Sequence, residues 1–245
     1  MPVAAALLRF HRTSVSGVSV HVAFVPGEGA TAEVGIVVDV VRATSSIVQA
    51  LAAGYERVLC CREIAEAVAL REELGDEAVV GGERDGTKVE GFDVGASPRE
   101  FARGARAKTL ILSTTNGTAA ILGAAARCRT VLLGSLLNLA ALATATRSLG
   151  GDVDIVCAGF KGAFALDDAY CAGRIVAELD GERSDAARAA ELVALSFPGA
   201  LEGLNARTYG PPGLEQDIAF CARESVLDTV PRFTRMVGSA AEIVA

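Results

Sequence analysis

Two stretches of the chain carry residues able to do chemistry, and they share a pattern. Gly35-Ile36-Val37-Val38-Asp39-Val40-Val41-Arg42-Ala43-Thr44-Ser45-Ser46 reads as an apolar strand running into a polar turn and then a helix. Thr109-Leu110-Ile111-Leu112-Ser113-Thr114-Thr115-Asn116-Gly117-Thr118 does the same. Turns of this kind lift hydroxyls and free backbone N–H groups above strand ends, where α/β proteins hold phosphate-like anions. In the first turn, Asp39 closes an apolar strand, where an unpaired carboxylate is costly and needs a cation, an arginine or several donors. Arg42 offers a simple turn clamp. The other reading is a metal-binding or catalytic carboxylate beside an anion-binding arginine. In the second turn, Thr114, Thr115, Asn116, Gly117 and Thr118 exceed the single residue that an N-cap requires. Their hydroxyl and amide groups sit at a helix start, where the dipole favours anions, and Gly117 permits close backbone approach.

Other polar segments fall after other strands. Gly81-Gly82-Glu83-Arg84-Asp85-Gly86 reads as a loop, with Lys88 just beyond it. Ser97-Pro98-Arg99-Glu100 has the form of a capping box with proline at the first helical position. Asp167 and Asp168 precede a helix, either as ordinary first-turn acids or as ligands. Several familiar sites are absent: there is no GxxxxGK[ST] loop, no GxGxxG fingerprint and no cysteine followed by arginine six positions later. Asp152-Val153-Asp154-Ile155-Val156 mimics the start of an aspartyl-phosphate motif, but Val156 stands where that motif has threonine. The histidines are His11 and His21, so a histidine-rich metal site is not expected. The remaining chemistry belongs to carboxylates, arginines, hydroxyls and a hard cation.

Those segments need a frame. The apolar patterning predicts strands over 18–25, 34–41, 58–61, 78–80, 110–113, 130–133 and 153–157. It predicts helices from 44 to Gly54, over 63–74, from 98, and over 118–126, 138–149, 168–179, 184–195 and 217–224, with a last segment after Pro231. Strands alternating with helices give an α/β fold, a three-layer α/β/α sandwich on a parallel or mixed sheet. Its ligands would lie beyond the carboxyl ends of the strands. No linker divides the 245 residues, so one domain over 1–245 is expected, with two subdomains as the finest division. The formal charge is −7 with no long basic run, which argues against a nucleic-acid partner. The six cysteines form no CxxC pair and read as buried reduced thiols of a cytoplasmic protein. The apolar stretch 4–8 is too short for a membrane span and lacks the basic flank of a signal peptide. The Ala-rich helix over 185–195 offers a surface for a homodimer, core packing being its other use.

Taken together these segments resemble the 2-phosphosulfolactate phosphatase family, the ComB-like proteins. The matching residues are Asp39-Val40-Val41-Arg42-Ala43-Thr44, Gly82-Glu83-Arg84, Gly91-Phe92-Asp93-Val94-Gly95, Ser97-Pro98 and Thr114-Thr115-Asn116-Gly117-Thr118. Gly134 with Asn138, Cys157-Ala158-Gly159 with Cys171-Ala172-Gly173, Asp217-Ile218 and Val230-Pro231 follow in the family's order. Departures fall at Val41, Ser45, Ala96 and Asp167, where the family tends to have Leu, Thr, Asn and Glu. The resemblance implies a magnesium-dependent phosphatase acting on phosphosulfolactate, a step toward coenzyme M. On that basis Asp39, Arg42 and Glu83 are the expected catalytic residues, and Asp39, Glu83, Asp167 and Asp168 the expected holders of Mg²⁺. Thr44, Arg84, Ser97, Thr114, Thr115, Asn116, Gly117, Thr118 and Asn138 are expected to contact a small anionic phosphorylated substrate. The alternative is a non-catalytic sensor that binds a phosphorylated metabolite in the same pocket.

Overall fold

A computed structural model describes residues 17–245; the stretch 4–8 and His11 lie outside the described residues. Its strands are β1 (Ser19–Ala23), β2 (Val34–Val38), β3 (Arg57–Cys61), β4 (Ala78–Arg84), β5 (Thr87–Lys88), β6 (Thr109–Ser113), β7 (Thr130–Gly134), β8 (Val153–Cys157), β9 (Glu182–Arg183), β10 (Arg232–Val237) and β11 (Ala240–Val244). The helices are α1 (Ala43–Ala52), α2 (Ile64–Leu74), α3 (Pro98–Phe101), α4 (Gly117–Ala125), α5 (Leu139–Leu149), α6 (Leu166–Glu178), α7 (Asp185–Leu195), α8 (Ala200–Asn205) and α9 (Glu215–Cys221).

All the strands join one mixed sheet in the order β5-β4-β6-β3-β11-β10-β7-β2-β8-β1-β9. β4, β6 and β3 are mutually parallel, and so are β7, β2, β8, β1 and β9. The hairpin of β10 and β11 lies between these groups and pairs antiparallel on both sides, with β7 and with β3. The two parallel groups therefore run in opposite senses along the ladder. Strand twist of roughly 20–25° per pair, over the five steps from β6 to β2, turns this opposition toward a crossing arrangement. The carboxyl ends of β2, β4 and β6 and the loop after β8 consequently border one cleft.

Alternating side chains give the sheet two apolar faces. Val37, Val58, Cys60, Leu110, Leu112, Leu133 and Ile243 point to one side, against Ile47 and Leu51 of α1 and Ile121 of α4. Ile36, Val38 and Ile155 point to the other, against Leu142 of α5 and Tyr170 and Ile175 of α6, with Ala187, Ala190 and Ala194 of α7 behind them. Leu59 and Ile111 face Ala67 of α2 on that same side. Helices on both faces of one sheet make the three layers expected. All six cysteines are buried thiols. Among the described residues no helix is long and apolar enough to cross a membrane.

Two local expectations differ from the structure, and one segment left unassigned gains a place in it. The segment read as a loop from Gly81 continues as strand β4 to Arg84 and turns into β5. Its glycines are there for space: a Cβ on Gly82 would lie 2.2 Å from the Ser113 carbonyl oxygen. The segment after Pro231 forms the central β10–β11 hairpin. The capping box at Ser97 does not form: the Ser97 hydroxyl donates to Asp217 at 2.6 Å, and Glu100 accepts from Gly95 N at 2.9 Å. The buried Asp217 needs donors more than the short helix needs a cap.

The α6–α7 contact sets a test of the packing. A Cβ on Gly173 would lie 2.0 Å from the Ala190 carbonyl oxygen, an immovable backbone atom. Gly123 of α4 has only the end of Arg127 nearby, at 3.7 Å. Gly173→Ala should lower stability by about 1–3 kcal/mol or more, while Gly123→Ala should leave it unchanged or raise it by about 0.5–1 kcal/mol. Urea midpoints measure both, and similar midpoints for the two variants would contradict this packing.

Candidate active site

The cleft is an open, solvent-facing depression with about 520 Å³ of space, open solvent at its mouth included. Its wall includes Asp39, Arg42, Glu83, Thr114, Thr115 and Asn116, together with Ala96, Asp85, Phe160, Arg207 and Tyr209.

Asp39 leaves the end of β2 and is pinned by the start of α1. Ala43 N donates to its Oδ1 at 3.1 Å, while Thr44 N and the Thr44 hydroxyl both donate to its carbonyl at 2.9 Å. Thr44 is thus spent on the turn rather than on a ligand, as is Ser45, which donates to the Val40 carbonyl at 2.7 Å, while Ser46 ties α1 to the segment before α3 through the Ala96 carbonyl at 2.7 Å. The second turn is different. The Thr114 and Thr115 hydroxyls are buried without a hydrogen-bond partner among the described residues. Helix α4 begins at Gly117 with no side-chain cap, so first-turn N–H groups are free to receive an anion. A Cβ on Gly117 would meet Ala43 Cβ at 2.5 Å, Asp39 Oδ2 at 2.9 Å and Thr114 Oγ1 at 3.3 Å. Only glycine allows the two turns to close on one another there.

Glu83 crosses from β4 and anchors the cradle. It accepts from Thr115 N at 2.8 Å and from Gly86 N at 2.6 Å. Asp168 accepts from Val40 N at 2.9 Å and Gly159 N at 3.0 Å, tying the turn after β2 to the loop after β8. Asp167 accepts from Asp168 N at 3.0 Å and from the Tyr209 hydroxyl, with Arg207 3.8 Å away. Neither Asp167 nor Asp168 lines the cleft directly.

Four expected contacts are redirected. Arg42 forms no clamp with Asp39; it donates to Asp217 Oδ2 at 2.8 Å and to the Gly86 carbonyl at 2.9 Å. Arg84 is outside the wall and donates to the carbonyls of Glu83 and Arg62 and to the Ser113 hydroxyl. Ser97 serves Asp217. Asn138 is fully buried, caps Ser135 N at 3.0 Å and donates to the carbonyls of Leu133 and Thr229. A buried amide must satisfy its own donors and acceptor, and backbone groups nearby do so. Thr118 is buried on α4 outside the wall. Arg207, Tyr209 and Phe160 were not anticipated; the signal for the first two was an arginine and a tyrosine leading into the turn Gly210-Pro211-Pro212-Gly213.

Burial raises the Asp39 carboxyl to about 7, with the charges of Glu83 and Asp167 adding to the rise and the Ala43 N–H and Arg42 opposing it. Burial also raises Asp167 against its bond from Tyr209, and raises Asp168 well above the usual range with help from Asp167 and Asp39. Such a set favours a bound cation. Among the described residues no three acidic, histidine or cysteine side chains converge tightly enough to hold a metal alone. The carboxylates that line the cleft are Asp39, Glu83 and Asp85, oxygen donors of the kind hard divalent cations take.

In metal-free protein, an Asp39 carboxyl raised above its unfolded value of 3.8 stabilises the fold fully only below about pH 4. That contribution is lost as pH rises through about 7 and amounts to a few kcal/mol in order of magnitude. Urea midpoints in chelator should fall across this window, Asp39→Asn should flatten the fall, and Glu83→Gln should move it to lower pH. Superimposable profiles for wild type and Asp39→Asn would refute the assignment.

The family model described as 2-phosphosulpholactate phosphatase matches residues 22–236. A protein of Thermus thermophilus named probable 2-phosphosulfolactate phosphatase is 39% identical over 228 residues, covering 88% of this chain and 94% of its own. One from Clostridium acetobutylicum with the same name is 38% identical over 209 residues, covering 81% of this chain and 88% of its own. A third, from Carboxydothermus hydrogenoformans, is 39% identical over 204 residues, 80% of this chain and 84% of its own. The matched span runs from β1 into β10 and takes in every loop that borders the cleft, so the chain belongs to the 2-phosphosulpholactate phosphatase family.

Proposed function

We propose that this protein hydrolyses the phosphate monoester of 2-phosphosulfolactate to sulfolactate and phosphate, with Mg²⁺ as cofactor. One observation carries the reading: unspent hydroxyls and an uncapped helix start face a carboxylate of raised pKa across a single cleft. Phosphoryl transfer needs positioning and charge neutralisation more than covalent help.

The Thr114 and Thr115 hydroxyls, with the first N–H groups of α4, would receive phosphate oxygens. Glu83, which lines the cleft, holds Thr115 in place by accepting from the Thr115 backbone N–H. Asp39 and Glu83 are the residues that would hold Mg²⁺, which when bound neutralises phosphate charge and acidifies coordinated water. Asp39 Oδ1 is held by Ala43 N, leaving Oδ2 beside Thr114 as the acceptor facing the cradle. Asp168 acts at one remove, by fixing the backbone at Val40 and Gly159. The names of the matched relatives support the choice of substrate. The absence of a long membrane-crossing helix among the described residues suits a cytoplasmic enzyme.

Phosphate release from 2-phosphosulfolactate should require a divalent ion, stop in chelator and return with Mg²⁺. Asp39→Asn should lower kcat by at least about 10³-fold, and Thr114→Val or Thr115→Val by about 10²-fold, the loss typical of one preorganised donor. If wild-type protein with Mg²⁺ binds the ester but frees no phosphate between acidic and neutral pH, the cleft is a sensor and the catalytic reading is wrong.

A further inference from the structure

Two guanidinium groups line the cleft, those of Arg42 and Arg207. The donors of Arg42 go to Asp217 and the Gly86 carbonyl, and Arg84 turns away from the wall altogether. Lys161, on the loop after β8, is drawn to Asp85 at 2.7 Å. Arg207 is the exception. Its side chain is only 8% exposed, yet among the described residues it donates no hydrogen bond. Its neighbours are the Asp167 carboxylate at 3.8 Å and the Tyr209 ring, whose centroid is 5.8 Å away. Tyr209 is itself fixed, stacked on Phe160 at 4.5 Å and hydrogen-bonded to Asp167.

A guanidinium carries five N–H donors, and among the described residues none of those of Arg207 is committed to a hydrogen bond, which leaves them available to a ligand in the cleft. The cleft that Arg207 lines already has a phosphate cradle in the Thr114–Thr115 turn. The unspent fork matches an oxyacid that presents two oxygens side by side, as carboxylates and sulfonates do. We propose that Arg207 is the specificity-determining residue that receives the second acidic group of the substrate, a carboxylate or sulfonate on the carbon skeleton that bears the phosphate. The proposal rests on the phosphatase reading for the identity of the ester, but its own content is recognition of the second acid. Tyr209 and Asp167 are positioning residues for it.

The test uses Arg207→Gln and Arg207→Lys. Calorimetric titration of wild-type protein with sulfolactate, which has no phosphate, should show binding that Arg207→Gln weakens by about 10²-fold. Arg207→Lys, with charge but no fork, should fall between the two. Affinity for inorganic phosphate should fall far less, which separates loss of one contact from loss of the fold. In turnover, preference for 2-phosphosulfolactate over a monoester with a neutral skeleton, such as ethyl phosphate, should drop by about 10²-fold in Arg207→Gln. The proposal is overturned if wild type does not bind sulfolactate, if the variant binds it equally well, or if phosphate affinity or turnover of both esters falls in step. Should wild type hydrolyse no ester at all, the phosphatase reading fails, and the sulfolactate titration still decides the role of Arg207.

Discussion

The organisation of the cleft depends on keeping Asp39 where little water reaches it. A carboxylate at the end of an apolar strand, with Glu83 and Asp167 near, resists ionisation unless positive charge is supplied. The surrounding structure answers that demand only partly. One oxygen takes a helix-start N–H, Arg42 lends charge from a distance, and the remainder is left to whatever enters the cleft. Apolar walls built by strand patterning thus become the cause of reactivity at their rim.

Hydroxyl groups around this carboxylate divide into two kinds. Those of Thr44 and Ser45 close the turn after β2 through backbone carbonyls, that of Ser46 ties α1 to the Ala96 carbonyl, and that of Ser97 supports Asp217. Those of Thr114 and Thr115 have no partner among the described residues. The contrast follows from local geometry: the Thr44 and Ser45 hydroxyls at the start of α1 reach back to carbonyls of the preceding turn, whereas those of the second turn precede their helix and are buried without such a partner among the described residues.

Much of this was legible in the residues. Apolar runs ending at Asp39 and Ser113 predicted both strands and the rim they share, because burial on two faces leaves an unbroken apolar signature. Gly81 and Gly82 misled, since glycine marks both loops and crowded strands; only the approach of the Ser113 carbonyl distinguishes them. The exposed, charge-bearing β10 lacked any apolar alternation, so its place at the centre of the sheet was not readable. Asn138 looked like a donor for a ligand because its type does not reveal which backbone groups lie within reach. Arg207 and Tyr209 come from a segment about forty residues beyond Asp167, and no local pattern announces a meeting made by tertiary folding.

The β10–β11 hairpin joins two groups of strands that are complete in sequence well before it. During synthesis, β3 and β7 therefore emerge with one edge each that has no neighbour, and those edges stay open until residues 232–244 arrive. Unpaired edges of apolar strands are templates for association with other chains. The hairpin acts as the keystone of an arch: without it β3 and β7 would each present a bare edge to neighbouring chains.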